Sequence, residues 1–308
     1  MKGFLCKKFY FIFSLIIFSV FLCSCEDYDK YYINLGNSRL SSGKLDRAKE
    51  YFEHELKRNK DSAEAYFGLG SVALAKKEYP AAIDLFTKVI GLNPNLAGAY
   101  FNRGLAWKEI GDIEKAIVDI NKGMEINPGH PLAYGLRGDI YFDKKEYDLA
   151  IADYDKALTI DQKNEWLYLK RANYWFVIGN FKNSIFDLEK AFKLNPSNIT
   201  ALNDYAWLLA TCSEKPYRNG EKSVQLAEKA VVVSRSAGTL DTLAAAYAET
   251  GRFEDAVKIQ EESINIQKKT GSNVYLSASI ERLKSYRGKI AWTDYSRKTF
   301  EIEKVISK

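Results

Sequence analysis

The feature that most constrains this 308-residue chain is a recurrence every 34 residues. Ala48, Ala82, Ala116, Ala150 and Ser184 are spaced by that step, as are Gly36, Gly70, Gly104, Gly138 and Ala172. Tyr32, Tyr66, Tyr100, Tyr134 and Tyr168 form a third series. A fixed period of this length means one supersecondary unit copied along the chain, each copy burying its apolar face on its neighbours. The unit reads as a helical hairpin. Small residues such as Gly104 and Ala116 let two helices approach closely, and bulky Trp107, Tyr141 and Trp175 fill the space beside them. Gly43, Gly111, Gly179 and Gly251 fall where the first helix should end in a left-handed cap. Pro94, Pro128 and Pro196 follow the second helix and prevent its continuation. No strand-like alternation interrupts the series.

The pattern resembles the tetratricopeptide family, whose unit carries an aromatic at place 4, Leu-Gly-like residues at 7 and 8, an aromatic at 11, Ala at 20, an aromatic at 24, Ala at 27 and Pro at 32. Units begin at residues 29, 63, 97, 131, 165, 199 and 237. The resemblance implies an all-α fold, a right-handed α-solenoid of about seven helical hairpins over residues 29–270, with a capping helix and basic tail over 271–308. That helix, about 273–287, includes Leu276, Ile280 and Leu283 and is expected to close the open end of the stack. The seventh unit starts four residues late. The excess is expected in the inter-helix loop of the sixth unit, 212–220. Lys60 and Gln162 stand where proline is expected, which should weaken those two stops.

One correlation runs inside the repeats. Place 7 is Arg103, Arg137 or Arg171 in the three units whose place 23 is Asp119, Asp153 or Asp187. Elsewhere both places lack charge. The two places face each other across a hairpin, so each Arg–Asp pair is expected to replace an apolar contact as a structural ion pair.

The N-terminus reads as a sorting signal. Residues 1–8 contain three lysines and no acid, and residues 9–22 are almost wholly apolar yet short for a membrane span. Leu22-Cys23-Ser24-Cys25 resembles the lipobox of bacterial lipoproteins. The resemblance implies removal of residues 1–24, lipidation of Cys25 and a short tether, 25–28, before the first repeat. Two or three acyl chains would make that anchor stable. Four residues reach under ~20 Å, so the first hairpin is expected near the membrane surface. Glu26 stands where an aspartate would favour inner-membrane retention, so the expected place is the cell envelope, with the outer membrane facing the periplasm favoured over the inner membrane. An uncleaved signal anchor is the alternative.

Charge and chemistry narrow the function. Losing Lys2, Lys7 and Lys8 takes the formal charge from +5 to +2, too little for a nucleic-acid binder. Ten Lys/Arg against four Asp/Glu lie in residues 267–308, so the rest of the chain is acidic. Only Cys212 lies in the body, so no disulfide framework is expected. His54 and His130 have no Cys or second His at ligand spacing, and no phosphate-binding glycine loop or nucleophile elbow occurs. We therefore expect no enzyme, metal or cofactor.

The family resemblance implies a concave face built from places 2, 5, 6, 9, 12 and 13. Here those places supply Phe67, Phe101, Asn102, Phe142, Trp166, Lys170, Asn173, Phe176 and Trp207 as a partner-binding groove. The expected role is an adaptor or scaffold that binds protein or peptide segments of the cell envelope. Self-association into a structural homo-oligomer, or a cell-wall hydrolase, are the alternatives.

Overall fold

The computed structural model describes residues 30–271 and 275–293. Cys25, the lipobox, the 25–28 tether and the tail beyond residue 293 lie outside the described residues. The described chain is helical throughout and divides within one helix into two compact units, one ending at Ile140 and one starting at Tyr141.

In the first unit, α1 (Tyr31–Ser41) pairs with α2 (Leu45–Arg58), α3 (Ala63–Ala75) with α4 (Tyr79–Leu92), and α5 (Ala97–Glu109) with α6 (Ile113–Ile126). The division falls inside α7 (Pro131–Asp143). In the second unit come α8 (Tyr147–Ile160), α9 (Glu165–Val177), α10 (Phe181–Leu194), α11 (Ile199–Thr211), α12 (Gly220–Val233), α13 (Ala237–Glu249), α14 (Phe253–Thr270) and α15 (Leu276–Arg287). The pairs α9–α10, α11–α12 and α13–α14 are hairpins, and α15 packs on α14.

Close approach is secured by rings laid on glycine. Phe52 lies against Gly36 of its own hairpin and Gly68 of the next, where an added Cβ would come within 2.5 and 2.4 Å of the ring. Phe86 lies on Gly70 in the same way, at 2.8 Å. Ala48, Ala82 and Ala116, at place 20, are fully buried. In the second unit Ser184 and Ser223 take the role of that alanine without an unpaired hydroxyl. Their Oγ atoms donate to the carbonyls of Ala172 and Ala206, at 2.9 and 2.7 Å.

The turn inside each hairpin has one conformation. Gly43, Gly111, Gly179 and Gly251 are left-handed, with φ between 71° and 87°. Lys77 and Lys145 hold the same place at φ 61° and 62° without being glycine. In each of these turns the N–H of the next residue bonds the carbonyl at place 11, as from Asp112 to Trp107 at 2.9 Å.

Between hairpins the structure corrects the role given to proline. The side-chain oxygen of Asn59, Asn93, Asn127, Asp161 or Asn195 accepts from the backbone N–H two residues on, at 3.0–3.3 Å. This Asx turn ends the second helix at the same place whether proline follows or, as with Lys60 and Gln162, does not.

The sixth hairpin departs more than expected. Its internal loop has eight residues, 212–219, against three elsewhere, while the connection to the next hairpin has three, 234–236, against four. The net excess of four is thus an insertion of five offset by a deletion of one. The long loop is tied down by buried Cys212, by Tyr217 against Phe181 with ring centroids 6.3 Å apart, and by Arg218 paired to Glu249 at 3.0 Å. The shortened connection is secured by a capping box between Ser236 and Thr239.

The capping helix also turns a different face from the apolar one. Ile280 is 47% exposed, and Ser279, Arg282 and Tyr286 are buried instead. The reason lies in α13 and α14, which offer Asp241, Gln260 and Gln267. Arg282 pairs with Asp241 at 2.8 Å, and Gln267 donates to Ser279 at 2.9 Å.

Candidate functional site

Of the nine groove residues named from the sequence, the first unit holds Phe67, Phe101 and Asn102. Phe101 is core rather than open surface. It is buried on Gly123, where a Cβ would come within 2.4 Å of its ring, and its centroid is 4.7 Å from that of His130. Phe67 is half-buried edge-on to Phe86 at 5.5 Å, and Asn102 is partly exposed.

The second unit holds the other six. Phe142 packs edge-on to Tyr147 at 5.8 Å, so much of its ring is already used. Trp166 and Lys170 satisfy each other, the Lys170 Nζ standing 5.2 Å from the ring centroid. Asn173, Phe176 and Trp207 converge. With Ala172, Ser184, Leu188, Asp204 and Leu208 they line a cavity of about 150 Å³ between α9 and α11, floored by α10. That is room for one large side chain and less than a small-molecule ligand needs.

Asp204 is the residue that the sequence reading missed. It stands at place 6 of its repeat, one of the groove places, and only the pull of the neighbouring aromatic residues hid it. Its carboxylate keeps access to the cleft, yet the helices crowd it closely enough that burial pushes its pKa above the ordinary carboxylate value. The Asn203 amide, donating at 3.4 Å, opposes that shift weakly. Among the described residues no lysine or arginine offsets the charge. Trp207 has a second neighbour: the Arg282 guanidinium lies 5.4 Å from its ring centroid.

The Arg–Asp places do not line this cavity. Arg103 makes a two-pronged pair with Asp119, at 2.7 and 2.8 Å, and Arg171 with Asp187, at 2.7 and 2.7 Å. Burial pushes the Asp187 carboxyl up and the Arg171 fork pulls it back. A further link was not legible beforehand. Each arginine also reaches the preceding hairpin sixteen residues back, Arg103 to Thr87 at 2.9 Å, Arg137 to Asn121 at 2.6 Å and Arg171 to Asp155 at 2.6 Å. The arginine therefore joins hairpin to hairpin as well as helix to helix. Asp153 is buried in the second unit.

Among the described residues no group of His, Cys, Asp and Glu could hold a metal ion, and no helix is long and apolar enough to cross a membrane.

Comparison with known proteins agrees with the fold. Family models described as "Tetratricopeptide repeat" match residues 33–97, 97–130 and 236–270, and one described as "TPR repeat" matches 138–174. A search of curated proteins finds no match. Among solved structures, TTC0263, a thermophilic tetratricopeptide protein of Thermus thermophilus, is 21% identical with a TM-score of 0.53, covering 58% of this chain and 97% of that one. The Cut9–Hcn1 hetero-tetramer of the APC/C is 15% identical with a TM-score of 0.68, covering 82% of this chain and 48% of that one. At such identities the likeness is one of fold. The helical hairpins, their 34-residue register and the four family matches together make this chain a tetratricopeptide-repeat protein.

Proposed function

We propose that the chain is a protein-binding adaptor of the bacterial cell envelope, anchored through a lipidated Cys25 and taking a partner segment along the first helices of its hairpins. Tetratricopeptide arrays in general act as protein-interaction scaffolds. The observation that carries the reading is the cleft between α9 and α11, where Asn173, Phe176 and Trp207 surround an uncompensated Asp204. Rings only partly used by the core and a charge open to the cleft are what a partner would cover. The anchor rests on the resemblance of Leu22-Cys23-Ser24-Cys25 to a lipobox, with residues 1–24 removed and 25–28 as tether, and Glu26 after the lipidated cysteine favours the outer membrane facing the periplasm over the inner membrane.

A photo-reactive residue at Asn173 in intact membranes should crosslink a protein, whereas one at Phe186, 53% exposed on α10, should not. Capture from Phe186 alone would move the binding surface elsewhere. Capture of a second copy of this chain would replace the adaptor by a self-associating component. Cys25→Ser should release the protein from the membrane fraction, and retention there would sink the lipid anchor.

A further inference from the structure

We infer that the cavity between α9 and α11 is an arginine-binding site, in which an arginine side chain of the protein partner sets its guanidinium on Asp204 and against the rings of Phe176 and Trp207. This deepens the groove reading and rests on it.

Three observations meet at the site. The cavity, about 150 Å³, has room for one large side chain and is lined by two aromatic rings, the Asn173 side chain and a single carboxylate. That set suits a group that is flat, apolar on its faces and positively charged at its edge. The carboxylate lacks its counterpart. Asp204 is open to the cleft, receives one amide donor at 3.4 Å and has no cation among the described residues to offset it. A carboxylate open to a cleft walled by two aromatic rings invites a cation that can form charge-assisted hydrogen bonds with it while its apolar faces are covered by the rings.

The chain also shows the proposed chemistry one hairpin further on. Arg282 lies 5.4 Å from the centroid of Trp207 and pairs with Asp241 at 2.8 Å. Asp241 is at place 5 of its repeat and Asp204 at place 6, so both aspartates project from the first helix of a hairpin close to the same tryptophan. Arg282 fills the Asp241 site from within and is not among the residues that line the cavity. The Asp204 site has no such internal guest. Guanidinium is preferred over ammonium because its plane can lie on a ring while its edge meets both carboxylate oxygens.

The test uses the full chain and three small probes: N-acetyl-arginine methylamide, the neutral citrulline analogue, and the lysine analogue. Binding is followed by the indole N–H resonance of Trp207, assigned with a Trp207→Phe variant. The arginine probe should shift that resonance saturably and move the Asn173 side-chain amide with it. The citrulline probe should bind at least about tenfold more weakly, as should the arginine probe to Asp204→Asn. The variant keeps the shape of the side chain and removes an unpaired charge, so it should melt at or above the parent temperature, which separates lost binding from lost fold. Equal binding of citrulline, undiminished binding to Asp204→Asn, or lysine binding as tightly as arginine would each overturn the assignment. Photocapture from Asn173 distinguishes this inference from the adaptor reading. If the partner is caught equally by Asp204→Asn, the groove stands and the arginine site fails. If the probe binds but nothing is caught, the arginine site stands and the adaptor reading fails.

Discussion

Place 24 of the repeat is Phe52 in the first hairpin and Gln260 in the last, and both side chains are fully buried. Phe52 makes its joint with apolar area and dispersion, filling the space over Gly36 and Gly68. Gln260 donates to Asp241 at 2.6 Å, and Asp241 also takes Arg282 of the capping helix. The first joint is strong and undirected, the second weaker and directed. An apolar end would accept any apolar surface, including another copy, whereas a partly exposed aspartate accepts only a helix that brings a cation to one point. The polar joint also carries a cost: among the described residues, Oε1 of Gln260 and of Gln267 and the hydroxyl of Tyr286 lack hydrogen-bond partners. Burial pushes the Tyr286 phenol well above its ordinary value.

Phe52→Ala should show the largest effect, about 4 kcal/mol lost in denaturant unfolding, because the ring spans two hairpins and the glycines on either side cannot close the cavity. A loss under about 1 kcal/mol would break the contrast at its apolar end. Next comes Arg171→Leu. It strands Asp187, whose side chain is 1% exposed, and should cost about 3 kcal/mol. Adding Asp187→Leu should recover much of that, and strictly additive losses in thermal melts would refute the pair as a replacement for an apolar contact.

Arg282→Met should cost less, about 2 kcal/mol, because Asp241 is partly exposed and keeps its bond from Gln260. The loss should be local. Hydrogen exchange in α15 should quicken while α1–α4 keep their protection, and Asp241→Asn on the same background should restore part of it. If exchange in α15 does not change, the directed joint is not what holds the cap.

The contrast explains how far the fold could be read beforehand. The 34-residue step marks the apolar joints, because place 8 and place 20 must stay small, and place 24 large and apolar in the first five units, for helices to close on one another. Gly36, Ala48 and Phe52 repeat that rule visibly. The polar joint at the capping helix obeys no such step. Asp241 and Gln260 stand at repeat places without the residue types of the other units, and Arg282 lies beyond the repeats, so the sequence points α15 inward by Ile280 when its buried face is Ser279, Arg282 and Tyr286. The same limit applies at the site. Asn173, Phe176 and Trp207 follow from repeat places. Asp204 stands out only once its surroundings show that no cation accompanies it. Phe101 was misjudged for the converse reason: its place faces the groove by register, but Gly123 opens a slot in the core that admits the ring.

The smallest effects test whether first and last hairpins differ in anything besides their joints. Gly43 and Gly251 are left-handed at φ 71° and 79°, and a Cβ at either would meet nothing within 4 Å. Their substitution by alanine therefore reports backbone conformation without a packing term, and each should cost about 1 kcal/mol. Lys77 sits at the same place with φ 61° and already bears the strain that alanine would introduce. Lys77→Gly should accordingly run the other way, gaining about 0.5 kcal/mol after the greater chain entropy of glycine is subtracted. Equal costs at Gly43 and Gly251, with the opposite sign at Lys77, would confine the difference between the two ends to place 24 and its partners. A larger cost at Gly251 would mean that the last turn also holds the cap in place, extending the directed joint from side chains to the backbone that orients α14.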